Sequence, residues 1–430
     1  MSRRWVFVFC TLVGAAPSAA PSAAPAAPRA VALAALPRHR TALHVIVTRF
    51  QIGQGPLRHL GESRFRLLET LTLPALRLAA EHQFNFSWVL LVPPDLDAGV
   101  ASLVAGALRG TALEARTFVV SAPRGAADYL ELLYRGPLGT LDYVRKQTPL
   151  AKLAKKPDVL MYTRLDSDDA IGLEGMERLR GFAAGVSSDA HASAMCWADG
   201  AAMLWWPQRC AAGRGCLRLP RLRNATAVDK SKDECATAGL TVAWGAKGHL
   251  LSKEPRGAYG AGVHRDVSVD SVKYEGSPEI LRGRAITSNS AQGVHDPNRT
   301  AAFDDFTPAE LAGAERTNEV VQKQFGVTPD ALDRCRLRMV ALQGETALEQ
   351  LASMCQPGFS CGNRAIRVVG EWALDSGNGS VDQERKKLVA QLVTDARNRS
   401  AVWQKTFDKK ARSRLDPKEQ ARAFESMWTG

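Results

Sequence analysis

From Leu43 to Leu165 the chain alternates β-branched or apolar runs with segments of helical spacing, and this alternation narrows its fold more than any other feature. His44-Val45-Ile46-Val47-Thr48-Arg49-Phe50 reads as a buried strand, closed by turn signals at Gly53 and Gly55-Pro56. Ser63–Ala80 places Phe65, Leu68, Leu71, Leu76 and Leu78 at helical intervals, with Pro74 expected to end or kink the helix. Trp88–Val92 then reads as a strand, Asp97–Leu108 as a helix and Ala115–Val120 as a strand. Two helical segments follow within Asp128–Val144, and Asp158–Leu165 is a further strand running straight into Asp166. Such alternation builds a parallel-dominated α/β sheet with helices on both faces.

The remaining pattern is more irregular. A helix is expected around Glu174–Ala184. Strand-like Ser193–Trp197 and Ala201–Trp206 flank Asp199-Gly200, a hairpin signal. Pro207–Lys232 is basic, cysteine-bearing and loop-like, and short strands at Leu240–Trp244 and Arg284–Ser288 would complete the sheet domain near Thr300. Beyond Thr307 the spacing turns helical over Pro308–Phe325, Pro329–Met354 and Val381–Phe407. A chain of 430 residues exceeds what one core usually organises. The expected division is a signal segment at 1–20, an Ala/Pro-rich stem at 21–41, the α/β domain at 42–305 and a mainly helical region at 306–430.

The N-terminus speaks to location. Ser2-Arg3-Arg4 precedes the apolar run Trp5–Ala16, which has the length of a signal h-region and is short for a bilayer span. Ala-Pro-Ser-Ala units follow, as small residues for cleavage and then a stiff spacer. A cleaved signal is the first reading and a short signal-anchor the second; either implies the secretory-pathway lumen or secretion. Cys10 falls in that segment, leaving Cys196, Cys210, Cys216, Cys235, Cys335, Cys355 and Cys361, an odd set in which disulfides leave one thiol over. Zinc is disfavoured, because no CxxC or histidine pair has ligand spacing. Asn85, Asn224, Asn298, Asn378 and Asn398 head glycosylation sequons. The formal charge of +12 suits an anionic partner of any size, but the basic residues are scattered and no nucleic-acid-binding motif is present.

The stretch Thr163-Arg164-Leu165-Asp166-Ser167-Asp168-Asp169-Ala170 carries the chemistry. In an open parallel sheet, ligands collect beyond the carboxyl ends of strands, where these acids would sit. Three carboxylates within four residues repel one another, and a divalent cation offsets that cost. Hard oxygen ligands suit Mn²⁺ or Mg²⁺, which also bridges a diphosphate and stabilises it as a leaving group. The plainer reading makes Asp168 or Asp169 an N-cap for the helix beginning near Gly172. An EF-hand loop is disfavoured by Ile171 and Ala170 at positions that need glycine and an acid. A haloacid-dehalogenase-type phosphatase would place its acids after the first strand.

These motifs resemble the rhamnosyltransferase-like group of GT-A glycosyltransferases. The resemblance rests on Val45–Phe50, Arg66-Leu67-Leu68-Glu69 through Leu73-Pro74-Ala75-Leu76, Phe84–Val92, and Tyr162–Ala170. It covers about residues 43–206, with His295-Asp296-Pro297-Asn298 similar to a histidine near the family's domain end; the tail is not covered. It implies a GT-A, Rossmann-like nucleotide-diphospho-sugar transferase sheet with a helical C-terminal extension. It also implies metal-dependent transfer of a sugar from a nucleotide-sugar to a glycan or glycoprotein acceptor. Asp166 would face the ribose or base side of the donor, Asp168 and Asp169 the metal and diphosphate, and His295 a late ligand position. Arg49 and Arg164, at strand ends, could clamp diphosphate or form ion pairs with nearby carboxylates. Asp199 is the one nearby acid to name as base, though Asp-Gly favours a turn. Trp197, Trp205 and Trp206 could stack on a sugar ring or face a core. The rival reading is a secreted carbohydrate-binding protein with an inactive GT-A fold.

Overall fold

The computed structural model describes residues 41–124, 132, 136–148, 157–188, 193–195, 201–205, 217–218, 239–245, 280–284, 319–354, 363–374 and 382–406. The expected signal segment and most of the stem, Asp199, His295, Trp197, Trp206 and every cysteine but Cys335 lie outside these residues.

The first sheet has the strand order β3-β2-β1-β4-β9-β6. Its parallel half is β1 (Ala42–Arg49), β2 (Ser87–Val92), β3 (Thr117–Ser121) and β4 (Val159–Asp166), all joined in parallel register. β9 (Thr241–Gly245) pairs antiparallel with β4, and β6 (Ser193–Met195) pairs antiparallel with β9. The helices are α1 (Arg58–Leu67), α2 (Leu73–Glu81), α3 (Ala98–Leu108), α4 (Gly136–Gln147) and α5 (Leu173–Gly185). Strand alternation divides the side chains between two cores. Ile46, Trp88 and Leu90 pack with Phe65, Leu68 and Leu76 of the first helices, Val100 and Val104 of α3, and Met176 and Leu179 of α5. Val45, Val47, Val89 and Leu91 face the other way, onto Leu141 and Val144 of α4. Each such buried aliphatic contributes about 1.5–3 kcal/mol. This is the α/β sheet with helices on both faces that the sequence pattern implies.

Two expectations need correction. The described parts of the two expected hairpin strands, 193–195 and 201–205, do not pair with each other. β6 sits in the first sheet, whereas β7 (Ala201–Trp205) joins a second sheet of order β5-β10-β7-β8, with β5 at Asp169–Ile171 and β8 at Leu217–Arg218. An Asp-Gly turn signals a hairpin only when its flanks pair with each other. Here β7 runs parallel to β10 (Ile280–Arg284). It begins at the wholly buried pair Ile280-Leu281 and meets the expected Arg284–Ser288 at Arg284, the rest of which lies outside the described residues.

Pro74 does not end its helix. α1 passes into a π turn at Leu68–Thr72 and then into α2, so one helix runs from Arg58 to Glu81. The Leu73 N–H reaches back to the Leu68 carbonyl, and Pro74 then stands in the first turn of α2, where its missing N–H and its ring are tolerated.

The helical tail comprises residues 319–325, α6 (Pro329–Ser353), α7 (Asn363–Leu374) and α8 (Gln383–Thr406). It builds a third core in which Val321, Phe325, Met339, Leu351 and Trp372 join Leu67, Leu71 and Ala75 of the first helix, together with Ala170 and Leu281. Polar contacts fix the register of α6 on α1. Glu349 accepts from the Leu60 N–H at 2.6 Å and pairs with His59 Nδ1 at 2.9 Å. Thr346 donates to the His59 carbonyl, so the Ser63 hydroxyl donates to Thr346 at 2.6 Å. Cys335 is a free, buried thiol directed at the Arg66 carbonyl, and burial pushes it up to about 11. Gly326 turns the chain with φ +66 against the Pro74 carbonyl, a backbone conformation that glycine adopts without strain. No helix among the described residues is long and apolar enough to cross a membrane.

Across β1, β4 and β9, His44 Nε2 lies 2.7 Å from Thr163 Oγ1, which lies 2.7 Å from Thr241 Oγ1; Thr241 donates to the Gly239 carbonyl. With the Thr241 proton so committed, Thr163 donates to Thr241 and His44 donates from Nε2. Burial pushes His44 from 6.5 down to about 4. The unfolded chain therefore binds a proton that the folded one refuses. Stability is full above pH 6.5 and falls as the pH drops from 6.5 towards 4, by roughly 3 kcal/mol in all. Chemical denaturation across this range should show the fall, and His44→Gln should flatten it.

Candidate functional site

The sheet order places a topological switch point between β1 and β4. From β1 the chain builds outward to β2 and β3, then returns to lay β4 on the other side of β1. Crevices at such points, beyond the carboxyl strand ends, are where open α/β sheets bind ligands. The last registered pair across the crevice is Arg49 opposite Asp166.

Both candidate arginines converge on that acid. Arg49 Nη2 and Arg164 Nε each lie 3.4 Å from Asp166 Oδ1. Asp166 keeps 32% of its side chain exposed and the two arginines 20% each, so the cluster stays open to solvent and to a ligand. Of the two readings offered by the sequence, the ion pair is the one formed in this structure.

Beyond Asp166 the chain turns at Ser167-Asp168 and enters β5. The two remaining acids have different surroundings. Asp168 is half-buried at the turn, whereas Asp169 is 4% exposed and pairs in register with Arg282 of β10. Neither caps α5. Gly172 occupies the cap position without a side-chain bond. The Glu174 N–H is instead taken by Gln324 Oε1 at 3.1 Å, while Gln324 Nε2 donates to Glu174 Oε1 at 2.8 Å. Phe325 sits so close to Gly172 that an added Cβ would meet its ring at 3.1 Å. The tail thus closes the helix that follows the acids, and the helix-cap reading of Asp168 and Asp169 is set aside.

On its other side the turn is held by the π segment. The Thr72 hydroxyl, itself fully buried, lies 2.8 Å from the Asp169 carbonyl and 3.1 Å from the Ser167 carbonyl and is shared between them. A π turn of this kind often marks a functional site, because it displaces one side chain from the regular helical ladder.

Arg64 is a member of the site that sequence reading missed. It lies on α1 and is 6% exposed. Burial pushes its guanidinium down to about 10, and the negative charge of Asp168 acts against that shift. The signal was hidden, because an arginine within a helical pattern reads as a solvent-facing residue. Counted formally, Arg49, Arg64 and Arg164 balance Asp166, Asp168 and Asp169. Guanidinium groups therefore supply charge compensation that the acidic triplet by itself seemed to demand from a cation.

No family model and no curated protein matches the chain. Among solved structures, the mannosyltransferase PcManGT from Pyrobaculum calidifontis, in complex with GDP-Man and Mn2+, aligns with 92% of this chain and 89% of its own. The identity is 13% and the TM-score 0.29, too slight a likeness to bear on activity. The resemblance to the rhamnosyltransferase-like group gains no support from these comparisons, and the functional argument rests on the crevice itself.

Among the described residues no group of three or more His, Cys, Asp or Glu side chains is placed to hold a metal ion. Of the residues expected at a metal, Asp168 is half-buried, Asp169 is 4% exposed and His295 lies outside the described residues. So few accessible carboxylates suit an ion that completes its shell from substrate phosphates and water, as Mg²⁺ commonly does, rather than one held in a protein cage.

Thr72→Val should leave the buried Asp169 carbonyl short of a partner and cost about 1–3 kcal/mol. Urea denaturation should register the loss, with the m-value unchanged.

Proposed function

We propose that the chain is a glycosyltransferase that moves a sugar from a nucleotide-diphosphate donor to a glycan or glycoprotein acceptor across the β1–β4 crevice. One observation carries this reading: two guanidinium groups meet the part-exposed Asp166 carboxylate at the switch point of a parallel sheet, with the half-buried Asp168 two residues further along the turn. Guanidinium forks match phosphate oxygens in charge and geometry, and incoming diphosphate would draw Arg49 and Arg164 away from Asp166. Asp166, so released, would face the ribose or base side of the donor. Asp168 would hold a divalent ion together with the diphosphate, with His295 as a late ligand; when bound, that ion neutralises charge on the departing diphosphate. Thr72 and the Gln324–Glu174 pair keep the turn from shifting as the donor arrives. An inverting transfer needs a carboxylate to take the acceptor proton, and Asp199 is the candidate for that role.

A luminal setting belongs to the same proposal. Its support is the N-terminal signal pattern and the exposure of two sequon asparagines, Asn85 before β2 and Asn398 on α8.

Calorimetric titration of the luminal chain with a panel of nucleoside diphosphates and nucleotide-sugars, in Mn²⁺ and in chelator, tests the reading. Arg49→Ala should weaken donor binding about tenfold or more, a loss of roughly 1.4 kcal/mol. Asp168→Ala should remove the part of the affinity that depends on metal. An absence of binding under every condition would shift the case to the inactive carbohydrate-binding protein.

A further inference from the structure

We propose that Asn85 is a site of N-linked glycosylation at the end of the sheet away from the crevice, and that the likewise exposed sequon at Asn398 is passed over. The inference rests on the luminal setting proposed above.

Both asparagines are exposed, but the folded chain buries the serines that complete their sequons, with Ser87 7% and Ser400 3% exposed. Modification must therefore come before each segment folds, and the two segments fold in different ways. Asn85-Phe86 lies in the irregular link between α2 and β2, and Ser87 opens β2. Ser87 is enclosed only as β2 pairs with β1 and β3, which are distant in the chain. Asn398-Arg399-Ser400 lies inside α8. A helix closes through bonds between near neighbours, in about a microsecond, whereas strand pairing waits on remote segments. α6 and α7 precede α8 in the chain and are there to receive it. Arg399 donates to the Leu351 and Met354 carbonyls of α6 and its cap, at 2.9 and 3.0 Å. The Asn398 sequon is thus wound and tied down as it forms, while the Asn85 sequon stays extended and open to a transferring enzyme.

The folded protein has room for the product at Asn85. Phe84 and Phe86 on either side of it are buried in the sheet core, at 7% and 3% exposure, which pins the link and leaves Asn85 outside. The parallel register sets Leu91 beside Arg49, and Arg49 opposite Asp166 at the crevice. Asn85 stands six residues before Leu91, a distance of about 20 Å along an extended chain. A glycan there leaves the carboxyl strand ends open to a donor. The transfer joins Asn85 Nδ2 to C1 of the first sugar of a polyprenyl-diphosphate-linked oligosaccharide. The amide gives up one proton to a base of the transferring enzyme, and the C1–O bond breaks with its electron pair leaving on the polyprenyl diphosphate.

Translation of the full chain in the presence of microsomes, read on a denaturing gel before and after endoglycosidase digestion, tests this without requiring any variant to fold. Asn85→Gln should run one glycan lower than the unaltered chain, and Ser87→Ala should match it. Asn398→Gln should run with the unaltered chain. Thr394→Pro, which interrupts α8 one turn before the sequon, should add a glycan that a further Asn398→Gln removes. If added protease leaves the chain protected inside the vesicles and Asn85→Gln still runs with the unaltered chain, the inference alone is overturned. A chain digested outside the vesicles overturns the luminal reading and this inference with it. A glycan lost with Asn398→Gln, or none gained with Thr394→Pro, overturns the selection by helix closure.

Discussion

A helix covered along both flanks has nowhere to send its polar side chains except into its neighbours, and the segment Arg58–Glu81 is such a helix. The sheet takes one flank and the tail core the other. Several of its buried polar groups are accordingly matched: Ser63 by Thr346, the Leu60 N–H by Glu349, Arg64 by the charge of Asp168, and Thr72 by the carbonyls of the acidic turn. Unpaired groups in that setting would cost more than most packing contacts return. The site is therefore an outcome of satisfying a buried helix as much as of closing a sheet.

The parts of the fold written in local periodicity were legible in the sequence. β1, β2, β4, α3 and α5 fall close to their expected spans because the strands bury continuous apolar runs on both faces and the helices one regular face. What could not be read depended on partners distant in the chain. Pro74 read as an end or a kink because helix rules are local, and the π turn that accommodates it is supported by packing from β5 and the tail. The Asp199-Gly200 signal pointed to a hairpin, but the pairing preferences of β9 and β10 separate its two flanks. Asp166 and Asp168 were visible as acids at a strand end. Their counter-charges were only half visible, since Arg49 and Arg164 lie on strands while Arg64, on which the Asp168 charge acts, lies on a helix with an ordinary amphipathic pattern.

The arrangement of charge sets the character of the crevice. A patch of three carboxylates alone would attract any cation and repel a phosphate ester. Interleaved with arginines, the same acids present a surface of alternating sign, on which a ligand carrying both signs is favoured over either ion alone. This distinguishes the turn from a calcium-binding loop, where the ligands are anionic and the protein supplies most of the coordination shell.

The Gln324–Glu174 clasp and the seat of Phe325 on Gly172 have a consequence for how the molecule is made. A ribosome delivers the sheet and its acids long before it delivers residues 324–353, and sequential synthesis lets early segments collapse first. The nascent sheet must wait with Leu67, Leu71 and Ala75 uncovered, presenting an apolar strip to whatever folding assistants surround it. Only when the last quarter of the polypeptide emerges can the turn settle into its final shape, so chains truncated before that point would carry every acid and arginine of the crevice and still lack a finished site.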